Sequence, residues 1–195
     1  SKIILEVEQL IPDSKDEKLN LEAYSVLGEA YNALEVYDKA YVYYEKALQL
    51  AEKNKLTDKI GLIKEDLGNI QFRIGNYKNS IQLYNDSEKC FQKTGDFDGM
   101  MRAKGNVAIV AIKTGNRQQA IKSLIEIKNK KRLNPLTKAT TLLTLGNIYL
   151  EASETNKAIT YYLEALSLIE NTDNTRFKIL VNQNLAESYV ALKQY

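Results

Sequence analysis

Histidine is absent from the 195 residues, and with it the commonest general acid–base group and the commonest metal ligand. An enzyme built on this chain would have to work with carboxylates and lysines, so no catalysis is expected. Cysteine occurs once, at Cys90, so no internal disulfide framework holds the fold. Proline occurs twice and glycine nine times. A chain so poor in breakers favours helices, because sheets need many turns marked by those residues. No apolar run approaches the roughly 18 residues that a membrane span requires, and the opening residues carry no signal-peptide pattern. Basic and acidic residues number 27 and 25, a net charge of +2, far from the basic excess of a nucleic-acid binder. Neither a glycine-rich phosphate loop nor a metal-ligand spacing appears, so no cofactor and no metal are expected.

What the chain does have is a period of about forty residues. Leu27-Gly28-Glu29-Ala30-Tyr31 returns as Leu67-Gly68-Asn69-Ile70-Gln71, Val107-Ala108-Ile109-Val110-Ala111, Leu145-Gly146-Asn147-Ile148-Tyr149 and Leu185-Ala186-Glu187-Ser188-Tyr189. A second feature follows at a constant interval. Ala40, Ser80, Ala120 and Ala158 are succeeded four residues on by Tyr44, Tyr84, Leu124 and Tyr162, and three further on by Ala47, Ser87, Ile127 and Ala165. That spacing is one face of an α-helix. Each unit therefore holds two helices, A and B, and the small residues lie where the two axes cross. Gly75-Asn76 and Gly115-Asn116 fall between A and B helices, where a left-handed residue ends the first helix, and Gly95-Asp96 falls between units. Asn171–Asn174 and Lys131–Pro135 also separate units.

The predicted organisation is a single domain with units at 21–54, 61–94, 101–132 and 139–171 and partial units at 1–12 and 179–195. In the first of these Ile4, Val7 and Ile11 lie on a B-helix face that stops at Pro12. The chain ends where a fifth B helix should begin, so it reads as a piece of a longer array.

Leu27-Gly28-x-x-Tyr31 with Ala40, Tyr44 and Ala47, and Leu145-Gly146-x-x-Tyr149 with Ala158, Tyr162 and Ala165, resemble the tetratricopeptide repeat. The period exceeds the 34 residues usual for that family. It is similar to the long-repeat branch seen in cell-polarity scaffolds of the Leu-Gly-Asn type, kinesin light chains, and bacterial peptide-sensing and sensor-kinase proteins. Gln71 and Ala111 stand where the aromatic belongs, and Ile109 where the asparagine would be. The resemblance implies an all-α fold, a right-handed α-α superhelix of antiparallel helix pairs with about ten helices. It also implies a concave groove lined by A helices that binds a peptide or protein segment.

Projected onto the A helices, the groove stripe reads Glu22, Ser25, Glu29, Asn32 and Ala33, then Leu62, Glu65, Asn69, Phe72 and Arg73, then Arg102, Gly105, Ile109, Ile112 and Lys113. Thr140, Leu143, Asn147, Leu150 and Glu151 come fourth, and Leu180, Gln183, Glu187, Val190 and Ala191 fifth. Phe72, Ile109, Ile112, Leu143 and Leu150 either anchor the apolar side of a partner or pack between adjacent A helices. Asn69 and Asn147 either bond a peptide backbone or bond a neighbouring helix. Arg73, Arg102 and Lys113 form an expected basic patch, with Glu65 placed to neutralise part of Arg73. Ser25 and Glu65 stand where a carboxylate clamp for a chaperone tail would need lysine.

Elsewhere the bland reading prevails. Lys128, Lys130, Lys131 and Arg132 suit a solvated helix C-terminus, Tyr37, Tyr41, Tyr43 and Tyr44 suit packing, and Cys90 suits a small buried apolar site. Two functions follow: a non-catalytic binding scaffold, or a regulatory input domain of a larger bacterial signalling protein. The expected partner is a protein or peptide, with no nucleic acid and no membrane contact; self-association is left open.

Overall fold

The computed structural model describes residues 15–193. Nine α-helices and no strand occur among them: α1 (Glu17–Ala33), α2 (Tyr37–Lys53), α3 (Thr57–Arg73), α4 (Tyr77–Thr94), α5 (Phe97–Lys113), α6 (Arg117–Lys128), α7 (Pro135–Glu151), α8 (Thr155–Ile169) and α9 (Thr175–Lys193). The all-α expectation holds. Ile4, Val7, Ile11 and Pro12, assigned to a preceding unit, lie outside the described residues. The chain divides into two compact units, one running to Val110 and the other beginning at Ala111, and the division falls within α5. No described helix is long and apolar enough to cross a membrane.

Most of the helices are separated by one repeated device. Val36, Leu56, Asn76, Asp96, Asn116 and Glu154 each donate a backbone N–H to the carbonyl five residues earlier, at 2.7–2.9 Å. The residue before each has a positive φ: Glu35, Lys55, Gly75, Gly95, Gly115 and Ser153. This is the Schellman arrangement, which satisfies carbonyls that a helix end leaves unpaired. Glycine marks three of the six sites, and only those three were legible in the sequence. The two longer connections end on side-chain caps. Asn134 Oδ1 accepts from the N–H of Leu136 at 2.8 Å, with Pro135 in the first helical position, and Asn174 Oδ1 accepts from Phe177 at 3.3 Å.

In the first unit α1 packs on α2 and α3 on α4, and α2 in turn meets α3. Its core runs through Leu21, Leu27, Tyr31, Ala40, Tyr44, Ala47, Ile63, Leu67 and Ile70. In the second unit α7 packs on α8, and α9 docks on α8 through Val181 and Leu185. The crossings are built from rings lying on bare backbone. A Cβ added to Gly28, Gly68 or Gly146 would come within 2.8, 2.7 and 2.3 Å of Tyr44, Tyr84 and Tyr162. Glycine inside a helix costs about 1 kcal/mol relative to alanine. It stands here because the ring occupies the space of a side chain. Ala108, in the same register, is followed at the same spacing by Leu124 in place of tyrosine. Small residues were expected at every crossing, and Gly28, Gly68, Ala108 and Gly146 are indeed buried; Ala186 is exposed, because no described helix covers it.

Other expectations are refined. Tyr43 stacks between Tyr24 and Tyr31, at 6.1 and 5.6 Å between ring centroids, while Tyr41 faces solvent. Cys90 is half-buried, not buried. Lys128 pairs with Glu164 at 3.4 Å and lies over the Tyr161 ring, whereas Lys130, Lys131 and Arg132 are solvated.

Gly68→Ala should destabilise the protein by about 1–2 kcal/mol in urea unfolding, overpacking exceeding the gain in helix propensity. Combining it with Tyr84→Leu should cost less than the sum of the two single changes. An additive result would mean that the ring does not press on the backbone. Lys55→Gly should raise stability by about 0.5 kcal/mol by removing a left-handed non-glycine residue, and a lower urea midpoint would contradict the turn geometry.

Candidate partner-binding surface

In the first unit the central feature is an ion pair between α3 and α5. Glu65 is 6% exposed. Arg102 grips its carboxylate with Nε at 2.9 and 3.1 Å and Nη2 at 2.8 Å, and Asn106 Nδ2 adds a bond of 3.0 Å. A planar guanidinium matched to a carboxylate in this two-pronged way is strong and orientationally specific. The expected basic patch is corrected here. Arg102 is committed to Glu65, and Glu65 to Arg102, not to Arg73. Eight residues along one helix is more than two turns, whereas the adjacent A helix brings Arg102 alongside. Arg73 stays exposed, and so does Lys113 in the second unit.

The two asparagines are held alike. Tyr84 donates its hydroxyl to Asn69 Oδ1 at 2.8 Å, and Tyr162 donates to Asn147 Oδ1 at 2.8 Å. Asn184 Nδ2 gives Asn147 Oδ1 a second bond at 2.8 Å. Burial pushes both tyrosine hydroxyls up to about 12, so they remain donors at neutral pH. With each oxygen engaged, neither amide's Nδ2 is used in these bonds. The same ring that forbids a side chain at Gly68 or Gly146 thus fixes the residue after it. Where tyrosine is replaced by Leu124, the asparagine position holds Ile109.

The apolar stripe residues separate into classes. Leu143 is buried with Ala158, Ile159, Tyr162, Val181 and Leu185, so packing claims it and no partner reaches it. Leu150 packs partly against the same cluster. Phe72 is half-buried, its ring tilted against Tyr77 at 5.8 Å, and Ile109 and Ile112 are half-buried. Sequence reasoning passed over Asn106 and Asn184. A signal existed: with Asp66 they occupy one register position, two residues before the small one, where Thr144 is also polar. Among the described residues no group of histidine, cysteine or carboxylate side chains is placed to hold a metal.

Asp66 sits beside this ion pair. Burial, followed by Glu65 on its own helix and Glu29 on α1, pushes its carboxyl up to about 7, and Arg102 on α5 pulls the other way. Tyr44 on α2 and Tyr84 on α4 feel its charge. A carboxyl raised above its unfolded value near 3.9 contributes stability that is complete below that value and is lost as pH rises through the folded one. Stability should therefore fall between about pH 4 and 7, and Asp66→Asn should flatten that slope in urea titrations. An unchanged slope in the variant would remove Asp66 as its cause.

Models of the tetratricopeptide repeat match residues 20–93 and 139–172. No curated protein sequence matches the chain. Among solved structures it is similar to BtubC (BKLC) from P. vanneervenii, with 19% identity and a TM-score of 0.62 over 89% of this chain and 71% of that one. It is similar to the apo quorum sensor NprR from B. thuringiensis, with 14% identity and a TM-score of 0.72 over 97% and 53%. The Rap conjugation gene regulator of plasmid pLS20, in complex with the Phr* peptide, gives 14% identity and a TM-score of 0.76 over 99% and 56%. At such identities the likeness is one of fold, and the chain spans only about half the length of the last two. The helix pairs, the small residues at their crossings and the two matched segments agree: the chain belongs to the tetratricopeptide repeat family.

Proposed function

We propose that this chain is a non-catalytic module that binds a peptide or protein segment along its A helices. The observation that carries this reading is the pair of braced asparagines. Asn69 in the first unit and Asn147 in the second each accept a tyrosine hydroxyl through Oδ1, leaving Nδ2 to donate to a backbone carbonyl of the partner. A donor held by a buried ring costs little to order on binding. Phe72 and Arg73 beside Asn69 offer an apolar edge and a free positive charge, and Lys113 offers the same charge in the second unit. Ile109, Ile112 and Leu150 supply half-exposed apolar surface; Leu143 belongs to the core, and Arg102 acts through its hold on Glu65.

A second reading, a sensory input domain of a larger bacterial signalling protein, draws support from the fold shared with a quorum sensor and with a peptide-bound gene regulator. The open reading frame on both sides of this stretch decides it: an adjoining effector domain supports the reading, and a frame without one ends it.

The binding reading is tested with peptides selected on the chain from a random displayed library. Asn69→Ala and Asn147→Ala should each weaken a selected peptide by about tenfold, the worth of one well-placed hydrogen bond, in fluorescence anisotropy. Tyr84→Phe, which releases Asn69 without removing it, should produce a smaller loss. Affinity unchanged in both asparagine variants would place binding elsewhere.

A further inference from the structure

Where one A helix meets the next within a unit, three register positions recur. A tyrosine of the B helix reaches the residue after the small one, and a polar residue of the next A helix lies alongside. Between α7 and α9 these are Tyr162, Asn147 and Asn184, joined by two bonds of 2.8 Å to Asn147 Oδ1. Between α3 and α5 Tyr84 bonds Asn69, and Asn106 bonds Glu65. Between α1 and α3 the same positions hold Tyr44, Glu29 and Asp66. Among the described residues, none of these three side chains makes a hydrogen bond. Tyr44 is 1% exposed, and the charges that act on its hydroxyl are those of Asp66 and Glu29. A buried hydroxyl without a partner is costly, and here it is aimed at two acids that also lack one.

We propose that Glu29, Asp66 and the Tyr44 hydroxyl form a subsite for the ammonium or guanidinium group of a basic side chain in a bound peptide, an inference that rests on the peptide-binding reading above. Donors are what the cluster lacks. Two carboxylates bring only acceptors, and the hydroxyl has a single proton, whereas an ammonium brings three N–H groups and a guanidinium five. The sign of the charge agrees. Arg102 neutralises Glu65, but neither Glu29 nor Asp66 is ion-paired among the described residues. Glu29 is exposed and Asp66 half-buried, so an incoming head group reaches both. Leu62, about one turn before Asp66 and 41% exposed, offers apolar surface to the aliphatic stem of lysine or arginine. A metal ion fits less well, since no group of histidine, cysteine or carboxylate side chains among the described residues is placed to hold one. Asp66 faces Glu29 on α1, Tyr44 on α2, Glu65 on its own helix, Tyr84 on α4 and Arg102 on α5. A bound cation favours its ionised form, so affinity rises as pH rises through about 7.

The probes come from a random displayed peptide library, selected at pH 8 on the complete chain and, in parallel, on a Glu29→Gln, Asp66→Asn double variant whose circular dichroism spectrum is unchanged. The unaltered chain should enrich peptides carrying lysine or arginine, and the double variant should not. A selected peptide is then compared by fluorescence anisotropy with a copy whose arginine is replaced by citrulline, or its lysine by norleucine. The neutral copy should bind the unaltered chain about tenfold more weakly and the double variant with the same affinity as its parent, a coupling expected only if the two charges meet. The parent peptide should also weaken several-fold from pH 8 to pH 5.5, and Asp66→Asn should abolish that change. Selected peptides that depend on Asn69 yet carry no basic residue, or that tolerate its neutral replacement, overturn the subsite and leave the peptide-binding reading standing. A failure to select any peptide, or affinities indifferent to Asn69→Ala and Asn147→Ala, overturns both. Spermidine that binds as tightly as the basic peptides in calorimetry would make this a free-amine site and likewise overturn the assignment to a peptide.

Discussion

The contact of a tyrosine ring with the bare backbone of a glycine organises this protein. At Gly28, Gly68 and Gly146 the ring of the following helix occupies the space where a side chain would stand. Two helices can approach so closely only if one of them gives up its Cβ, and the helix accepts a less favourable residue in return for a dense, dry crossing. One further bond follows from the same placement. The hydroxyl at the far end of the ring reaches the residue after the glycine, and there Asn69 and Asn147 receive it. Packing and polar positioning are consequently one event. In the third repeat Ala108, Ile109 and Leu124 stand where the second and fourth repeats have glycine, asparagine and tyrosine, so the partners of that hydrogen bond are not present.

Charge is handled differently. In the first unit Arg102 satisfies Glu65 with three close contacts, while burial, with Glu65 and Glu29 nearby, leaves Asp66 hard to ionise. Buried ion pairs contribute little net stability, because desolvation offsets the Coulomb gain. Their value is in register: a two-pronged bond from Arg102 and a third donor from Asn106 hold α5 at one place on α3. Asn184, bonded to Asn147, does the same for α9 on α7 with neutral groups. The polar position two residues before the crossing thus ties one A helix to the previous one within each unit.

The functional reading depends on which side chains that scaffold leaves over. Leu143 had the spacing of an anchor and is spent on the core; Arg102 had the charge of a basic patch and is spent on Glu65. Asn69 and Asn147 engage their oxygens and retain their amino groups. Arg73 and Lys113 are left as exposed cations, and Phe72, Ile109, Ile112 and Leu150 as half-exposed apolar groups.

The forty-residue period, the paired helices, the small residues at their crossings and three of the six left-handed turns were written in the sequence, because each depends on local spacing or on a residue type that only one backbone geometry demands. Glu35, Lys55 and Ser153 take the same left-handed conformation unannounced, since the repeat imposes it on residues that do not prefer it. Whether an apolar residue on the inner stripe packs or waits, and which acid an arginine meets, was decided by tertiary structure. Helical periodicity tells which residues share a face, but neighbours on that face come from other helices, thirty-seven residues away for Glu65 and Arg102.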